Sequence, residues 1–555
     1  MDKQVRMKEV IKVSHVIYFN GPIICMNDAN TNCEAIVVET DKIIAVGEYE
    51  KLSQQYPKAT SVDLKGQTLL PGFIDAHSHI VAVAQSQLMT NLSDAKSVED
   101  VIIKLSTYLS ENPLREGAWL LGLGYDQTKF DSKLHPTKFD LDKVSTQIPI
   151  FVTHASGHIA ATNSKALEQL GYSKTQYEVP EGGVVKTVSS DSKEANGVLE
   201  ESAFLAPEKR QCIAGPTFED VLGALVKAQK LYASYGITTC QDASVDKELN
   251  QLLGFAAQKQ LLTLDVIGYA LQPVTLELMD GKTTFDAVYE NRYKLLGGKM
   301  FLDGSPQGKT AWLTKPYYEV PKGQASDYRG YQVQSDEDVV TYLTHCLSQN
   351  IQVNCHCNGD AAIDQFISCY KRARDLTKNE TDLRPVMVHA QTVREDQLDE
   401  MATLNIIPTF FLDHIWYWGD YHYESVLGEE RANRISPAKS ALDRNLSFTL
   451  HQDSPVVMPN MILAVHNAVN RQTPTGRILG ENQRLTVMEA LKAVTINGAY
   501  QYFEEATKGS LEVGKVADFV IVDKNPLTTS SQQLKEIVVL ETIKAGQTIY
   551  KNEIL

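Results

Sequence analysis

Eight short apolar stretches recur along this chain, most of them separated by about the length of one helix. They end near His79, Asp242, Tyr269, Asp303, His356, His389, Phe411 and Asp453. Apolar strands alternating with helical segments are the signature of βα units. Eight such units close into a (β/α)8 TIM barrel, which carries its reactive groups at the C-terminal ends of its strands. The sharpest stretch is Leu69-Leu70-Pro71-Gly72-Phe73-Ile74-Asp75-Ala76-His77-Ser78-His79. Alternate side chains of an extended strand share a face, so His77 and His79 can both point at one metal ion. Neutral imidazole is the commonest metal ligand, and catalytic zinc sites keep one coordination position open. Two surface histidines after a strand would be the competing reading of the pair alone. The apolar run and Asp75 count against it.

One gap in the series, from His79 to Gly236, is too long for a single βα unit. It predicts an insertion after the first barrel strand, over roughly residues 119 to 216. There lie Gly122-Leu123-Gly124-Tyr125-Asp126 and Thr153-His154-Ala155-Ser156-Gly157-His158. Both chain ends instead read as short strands and turns. His15 to Met26 reads as a strand pair turning at Asn20-Gly21, and Ala35 to Gly47 as a hairpin around Thr40-Asp41. Neither end can support a core alone. The expectation is an α/β chain in which residues 1–70 and 506–555 form one small composite β-sandwich. Residues 71–505 then form the barrel with its inserted subdomain.

Composition narrows the partners. The chain has 555 residues, 43% of them hydrophobic, and a net charge of -16. That charge argues against nucleic acid and offers no basic patch to a membrane surface. No apolar run is long enough to span a bilayer, and the N-terminus lacks the apolar core of a signal peptide. The 8 cysteines follow no disulfide-framework spacing. Reduced thiols and a cytoplasmic location are expected.

The candidate chemistry lies where histidines and acids end strands. His356 closes Ile351 to Cys355, His389 closes Pro385 to Val388, and Asp453 follows Leu446 to Gln452. One such histidine is more often structural. Three histidine-bearing strands and a terminal aspartate in one barrel are hard to assign to packing, because buried polar groups need partners. A metal ion would serve them all. Lys299, inside the apolar strand Gly297 to Leu302, has two readings. It can face outward and snorkel to solvent, or it can be a metal ligand once its amine is carboxylated.

The order H-x-H, Lys, His, His, Asp on successive strands resembles the amidohydrolase superfamily. Gly509 to Asp518 is similar to its return strand into the sandwich. Gly236 to Ala243, Asp303-Gly304-Ser305, His158 with Asn163 to Leu167, and His356 with Gly359-Asp360 narrow the resemblance. They point to the branch that includes N-substituted formamide deformylase. The resemblance implies metal positions at His77, His79, His356, His389 and Asp453, with Lys299 as a bridging carbamate, for one or two zinc ions. It implies hydrolysis of a non-peptide C–N bond, of an N-acyl or N-formyl amine. Asp453 would take the proton from water and return it to the leaving nitrogen. His158, His414, Trp416, Tyr417 and Trp418 are candidates to line a pocket for an apolar substituent. The two tryptophans can equally pack a loop or a subunit surface. Tyr125 and His154 would cap the site as a lid, or serve as core or hinge. The expected partner is a small amide substrate, and a homodimer is the assembly considered. Two alternatives stay open: a deaminase or cyclic-amide hydrolase on the same scaffold, and a regulatory or binding protein with a vestigial site.

Overall fold

The computed structural model describes residues 15–553 except 28, 30–31, 156–157, 174–175 and 280–287. The chain divides into two compact units, one of residues 1–80 with 229–555, the other of residues 81–228.

In the first unit, both chain ends pair into one eight-stranded mixed sheet. Its centre is His15–Ile24, antiparallel to Asn32–Glu39 and parallel to Thr60–Asp63. Alternation gives this sheet two cores. Tyr18, Ile36 and Val38 face Leu69, Phe519 and Ile543, whereas Ile17, Ala35 and Val37 face Leu52 on the other side. The C-terminal strand Phe519–Val522 runs antiparallel to Thr68–Pro71, which leads directly into the barrel. Asn20-Gly21 is not a hairpin turn. His15–Ile24 is one strand that bulges between Phe19 and Ile23. Asn20 takes a left-handed φ of 62°. A Cβ on Gly21 would lie 2.2 Å from the Gln67 carbonyl oxygen, so the pair is pressed against a neighbouring segment instead of reversing the chain. The hairpin around Thr40 is present, joining Asn32–Glu39 to Lys42–Gly47.

Eight parallel strands follow in chain order: β1 Phe73–Ile74, β2 Ile237–Val245, β3 Asp265–Leu271, β4 Tyr293–Phe301, β5 Gln352–Cys357, β6 Val386–His389, β7 Ile407–Phe410 and β8 Thr449–Leu450. Each pairs with the next. The near-continuous burial of these strands is what a parallel sheet covered on both faces requires. The first and last strands meet just beyond their ends: Asp453 N donates to His77 O at 3.2 Å, and His79 N to Ser454 O at 3.0 Å. The sheet therefore curls in the manner of a TIM barrel. Several of its helices start on side-chain caps: Asp246 accepts from Leu249 N, Ser335 from Asp338 N and Asn460 from Leu463 N, each satisfying a donor the helix cannot.

The second unit has its own six-stranded sheet, in the order Val184–Thr187, Ala195–Glu200, Ile159–Thr162, Ile150–His154, Leu120–Tyr125, Thr90–Asn91. One face is covered by the helix Val98–Glu111, whose Val101 and Leu105 pack with Leu120, Tyr125 and Val152. That amphipathic helix makes the unit begin well before residue 119. Among the described residues no helix is long and apolar enough to cross a membrane.

Candidate active site

β1 ends at Ile74, and both histidines lie beyond it, where the chain bends at Ala76 and His77, so a bend and not a shared strand face brings them together. His77 is buried, and its Nδ1 lies 2.9 Å from Gln241 Oε1 on β2. The Gln241 amide nitrogen is committed to Ala76 O at 3.0 Å and the Tyr502 hydroxyl at 3.1 Å. Gln241 can therefore only accept from His77, which puts the proton on Nδ1 and a lone pair on Nε2. That lone pair faces Asp453 Oδ1 across 3.4 Å, and His79 Nε2 reaches the same oxygen at 3.2 Å. Two lone pairs at such a distance repel unless a cation stands between them. The donor atoms of His77, His79 and Asp453 lie within 4.8 Å of one another, and their chemistry fits a divalent metal ion.

His389 and His356 complete the rim. His389 Nε2 is 3.9 Å from Asp453 Oδ2, and the His356 and His389 rings are 4.7 Å apart. Asp453 and His389 sit at φ 53° and 72°, sparsely populated values for side-chain-bearing residues that cluster at functional sites. On β4, Lys299 is buried, with its Nζ lacking any hydrogen-bond partner among the described residues. Its ammonium lies 5.0 Å from the Phe301 ring centre. Burial pulls the amine down to about 8, against the attraction of Asp453. Asn354, its register partner on β5, is buried with both amide atoms unpaired among the described residues. Lys299 is thus inside the protein, not snorkelling.

Asp303 and the stretch containing Gln241 stood out in the sequence, but no residue that holds this rim was assigned that role there. Gln241 fixes His77. His451 Nε2 is 3.1 Å from His389 Nδ1, and Thr409 Oγ1 is 3.0 Å from His451 Nδ1. Asp303 Oδ1 lies 3.3 Å from His356 Nδ1 and accepts from Asn358 N, while its Oδ2 accepts from Gly359 N and Trp312 N. Such partners set the tautomer and orientation of ligating histidines. The available signal was alternation: His451 stands two residues before Asp453.

The candidate pocket residues fall in different places. His414 and Trp418 share a face of the helix Asp413–Tyr421, with rings 4.5 Å apart. Phe411 joins them to the rim, 4.7 Å from His414, 5.1 Å from His451 and 6.3 Å from His389. Trp416 is two residues on from His414, about 200° around the helix. It does not join them, and its ring instead lies under the Lys535 ammonium at 4.9 Å. Tyr417 is half exposed. Tyr125 and His158 belong to the second unit. Tyr125 is buried, with its hydroxyl 3.0 Å from His135 Nδ1 and its ring 5.2 Å from His154. His158 is exposed and lies 3.1 Å from Glu201.

With this geometry in hand, comparison with known proteins is decisive at one level. Residues 60–550 match the amidohydrolase family. The chain belongs to that family. This amidohydrolase is 26% identical to the putative amidohydrolase YtcJ of Bacillus subtilis (strain 168), over 96% of this chain and 99% of that protein. It is also 26% identical to N-substituted formamide deformylase of Arthrobacter pascens, over 94% of this chain and 96% of that enzyme. Among solved structures, an uncharacterized metal-dependent hydrolase from Pyrococcus horikoshii OT3 superposes with a TM-score of 0.73 at 26% identity. That likeness covers 93% of this chain and 99% of the other. The protein is a hydrolase acting on carbon–nitrogen bonds.

Proposed function

We propose that this amidohydrolase cleaves the amide bond of a non-peptide N-acyl or N-formyl amine, and that zinc is its metal. The observation that carries the reading is the pair of lone pairs, His77 Nε2 and Asp453 Oδ1, facing each other across 3.4 Å. His77, His79, His356, His389 and Asp453 would hold one or two ions. When bound, such an ion supplies Lewis acidity, which acidifies a water molecule and polarises an acyl oxygen. Asp453 takes the proton of the attacking water and delivers it to the leaving nitrogen, acting first as base and then as acid. Gln241 and His451 keep His77 and His389 in the tautomers that leave a lone pair for the metal side. Phe411 and Trp418 form an apolar wall for the substituent on the amide.

Lys299 is assigned the carbamate. A protonated ammonium beside a dication is repulsive, and burial favours the neutral amine. That amine adds to carbon dioxide, losing one proton, to give an N-carboxylate with two donor oxygens. The wider reading keeps a composite β-sandwich from residues 1–70 and 506–555 around a barrel of residues 71–505 with its insertion. A cytoplasmic location accords with eight free cysteines.

The test is metal analysis of the purified protein with a screen of N-formyl, N-acetyl and cyclic amides after zinc loading. The reading requires one or two zinc ions per chain and turnover of open-chain amides. Selective turnover of cyclic amides would move the assignment to a cyclic-amide hydrolase. Full metal loading with no turnover of any amide would sink it.

A further inference from the structure

Two buried histidines stand outside the rim. His414 Nδ1 lies 3.1 Å from His422 Nε2, and the two rings are nearly parallel, at 15°. His414 opens the helix after β7, and His422 begins the π-helical turn His422–Val426 that follows. Such turns are frequent at functional sites. His422 is fully buried, and its Nδ1 has no hydrogen-bond partner among the described residues. Burial holds both imidazoles well below the usual histidine range, so both are neutral and each carries one proton.

One proton lies in the shared hydrogen bond, and the position of the other follows from what burial tolerates. If His414 donated, the one His422 proton would sit on Nδ1 as a buried, unpaired N–H. Orphaned buried N–H groups are rarer than under-satisfied acceptors. The proton therefore sits on His422 Nε2 and is donated to His414 Nδ1. His414 then carries its own proton on Nε2. Unlike His422 Nδ1, His414 Nε2 is not among the fully buried unpaired atoms, so a proton there is left for a partner from outside the chain. The His414 ring packs on Phe411, whose ring also touches those of His451 and His389.

We infer that His422 is a positioning residue that locks His414 as the neutral Nε2–H tautomer, making His414 a hydrogen-bond donor to the acyl oxygen of the substrate. The inference rests on the amide-hydrolase reading for the identity of the acceptor, but not for the tautomer. A neutral imidazole is a suitable donor here, because it polarises a carbonyl without placing a second full positive charge beside the metal.

The experiment has two arms on the full-length, zinc-loaded protein. With 15N-labelled histidine, long-range proton–nitrogen spectra report the tautomer of His414, assigned by its loss in His414→Asn. The wild type should show the Nε2–H form. His422→Gln, whose amide N–H can still donate, should keep it, and His422→Phe should lose it. In kinetics on the best amide from the screen, His422→Phe should lower kcat about tenfold to a hundredfold, with little change in KM. His422→Gln should recover most of that loss. An Nδ1–H form in the wild type overturns the tautomer assignment, whatever the variants do. A changed tautomer with unchanged kcat overturns the role in turnover. Absence of any amide turnover condemns the function proposed above and leaves the spectra to decide the tautomer by themselves.

Discussion

At the N-terminal end of the barrel, Asp265 opens β3 and is held by Lys508 at 2.5 Å and Lys544 at 2.6 Å. Lys544 also holds Asp518 at 2.7 Å, and Glu504 holds Lys294 at 2.7 Å and Lys508 at 3.1 Å. Every charge in this buried set has an opposite partner, and the set ties the barrel to the C-terminal strands. At the C-terminal end, Lys299 is as deeply buried and has no hydrogen-bond partner. Asn354 and Gln391 likewise have none among the described residues. Buried polar groups left unpaired are costly. A chain that pairs six charged side chains at one end and leaves others open at the opposite end is keeping the open ones for something that binds. The difference separates a structural network from a reactive one without reference to residue type, since lysines and carboxylates occur in both.

The comparison breaks most visibly at the open end. His77→Ala should reduce metal content and turnover together to background. Asp453→Asn should keep the fold and lose about two to four orders of magnitude in kcat. Elemental analysis and steady-state kinetics on the same samples check both, and full activity in Asp453→Asn would remove it from the mechanism.

Substituting the two lysines should give stability changes of opposite sign. Lys508→Met leaves Asp265 and Glu504 short of a partner and should cost about 3–5 kcal/mol, with activity per folded molecule retained. Lys299→Met removes an unpaired buried cation. It should stabilise the metal-free protein by about 1–3 kcal/mol while abolishing turnover. Denaturant unfolding of metal-free samples decides, and equal signs would end the distinction drawn here.

Acid should act first on the paired end. Burial opposes ionisation of Asp265, but Lys508 and Lys544 hold its carboxyl below the normal range. A depressed folded pKa contributes stability that is fully present above the unfolded value of about 3.9 and is lost as the pH falls through the folded one. The unfolding free energy of the wild type should therefore drop steeply below about pH 4. Asp265→Asn, less stable at neutral pH, should show a shallower decline.

The smallest effect is expected at Trp416. Against Lys535, outside the His414–Trp418 face, Trp416→Ala should cost about 0.5–1 kcal/mol and leave KM unchanged across amides of different size. A size-dependent KM would return Trp416 to the pocket.

The eight strands were legible in the sequence because parallel strands buried on both faces are nearly continuous in apolar residues. A histidine or aspartate at the end of such a run breaks the pattern. The convergence of His77, His79 and Asp453 could be anticipated for the same reason. Gln241 and His451 were not legible as partners. A polar residue in a strand looks the same whether it meets a metal or a neighbouring ring, and only cross-strand register tells. Trp416 and Trp418 were indistinguishable until the helix Asp413–Tyr421 set their phase. Asn20-Gly21 misled because a left-handed residue serves a bulge as well as a turn.

The backbone bonds that join His77 to Asp453 and His79 to Ser454 set the order of events during synthesis. The two histidines leave the ribosome early, whereas Asp453 follows only after all eight barrel strands have been made. A nascent chain, or one truncated before Asp453, therefore lacks both the clasp that closes the barrel and the carboxylate that faces His77 and His79. Closure of the barrel and completion of the His77–His79–Asp453 cluster are therefore a single, late event.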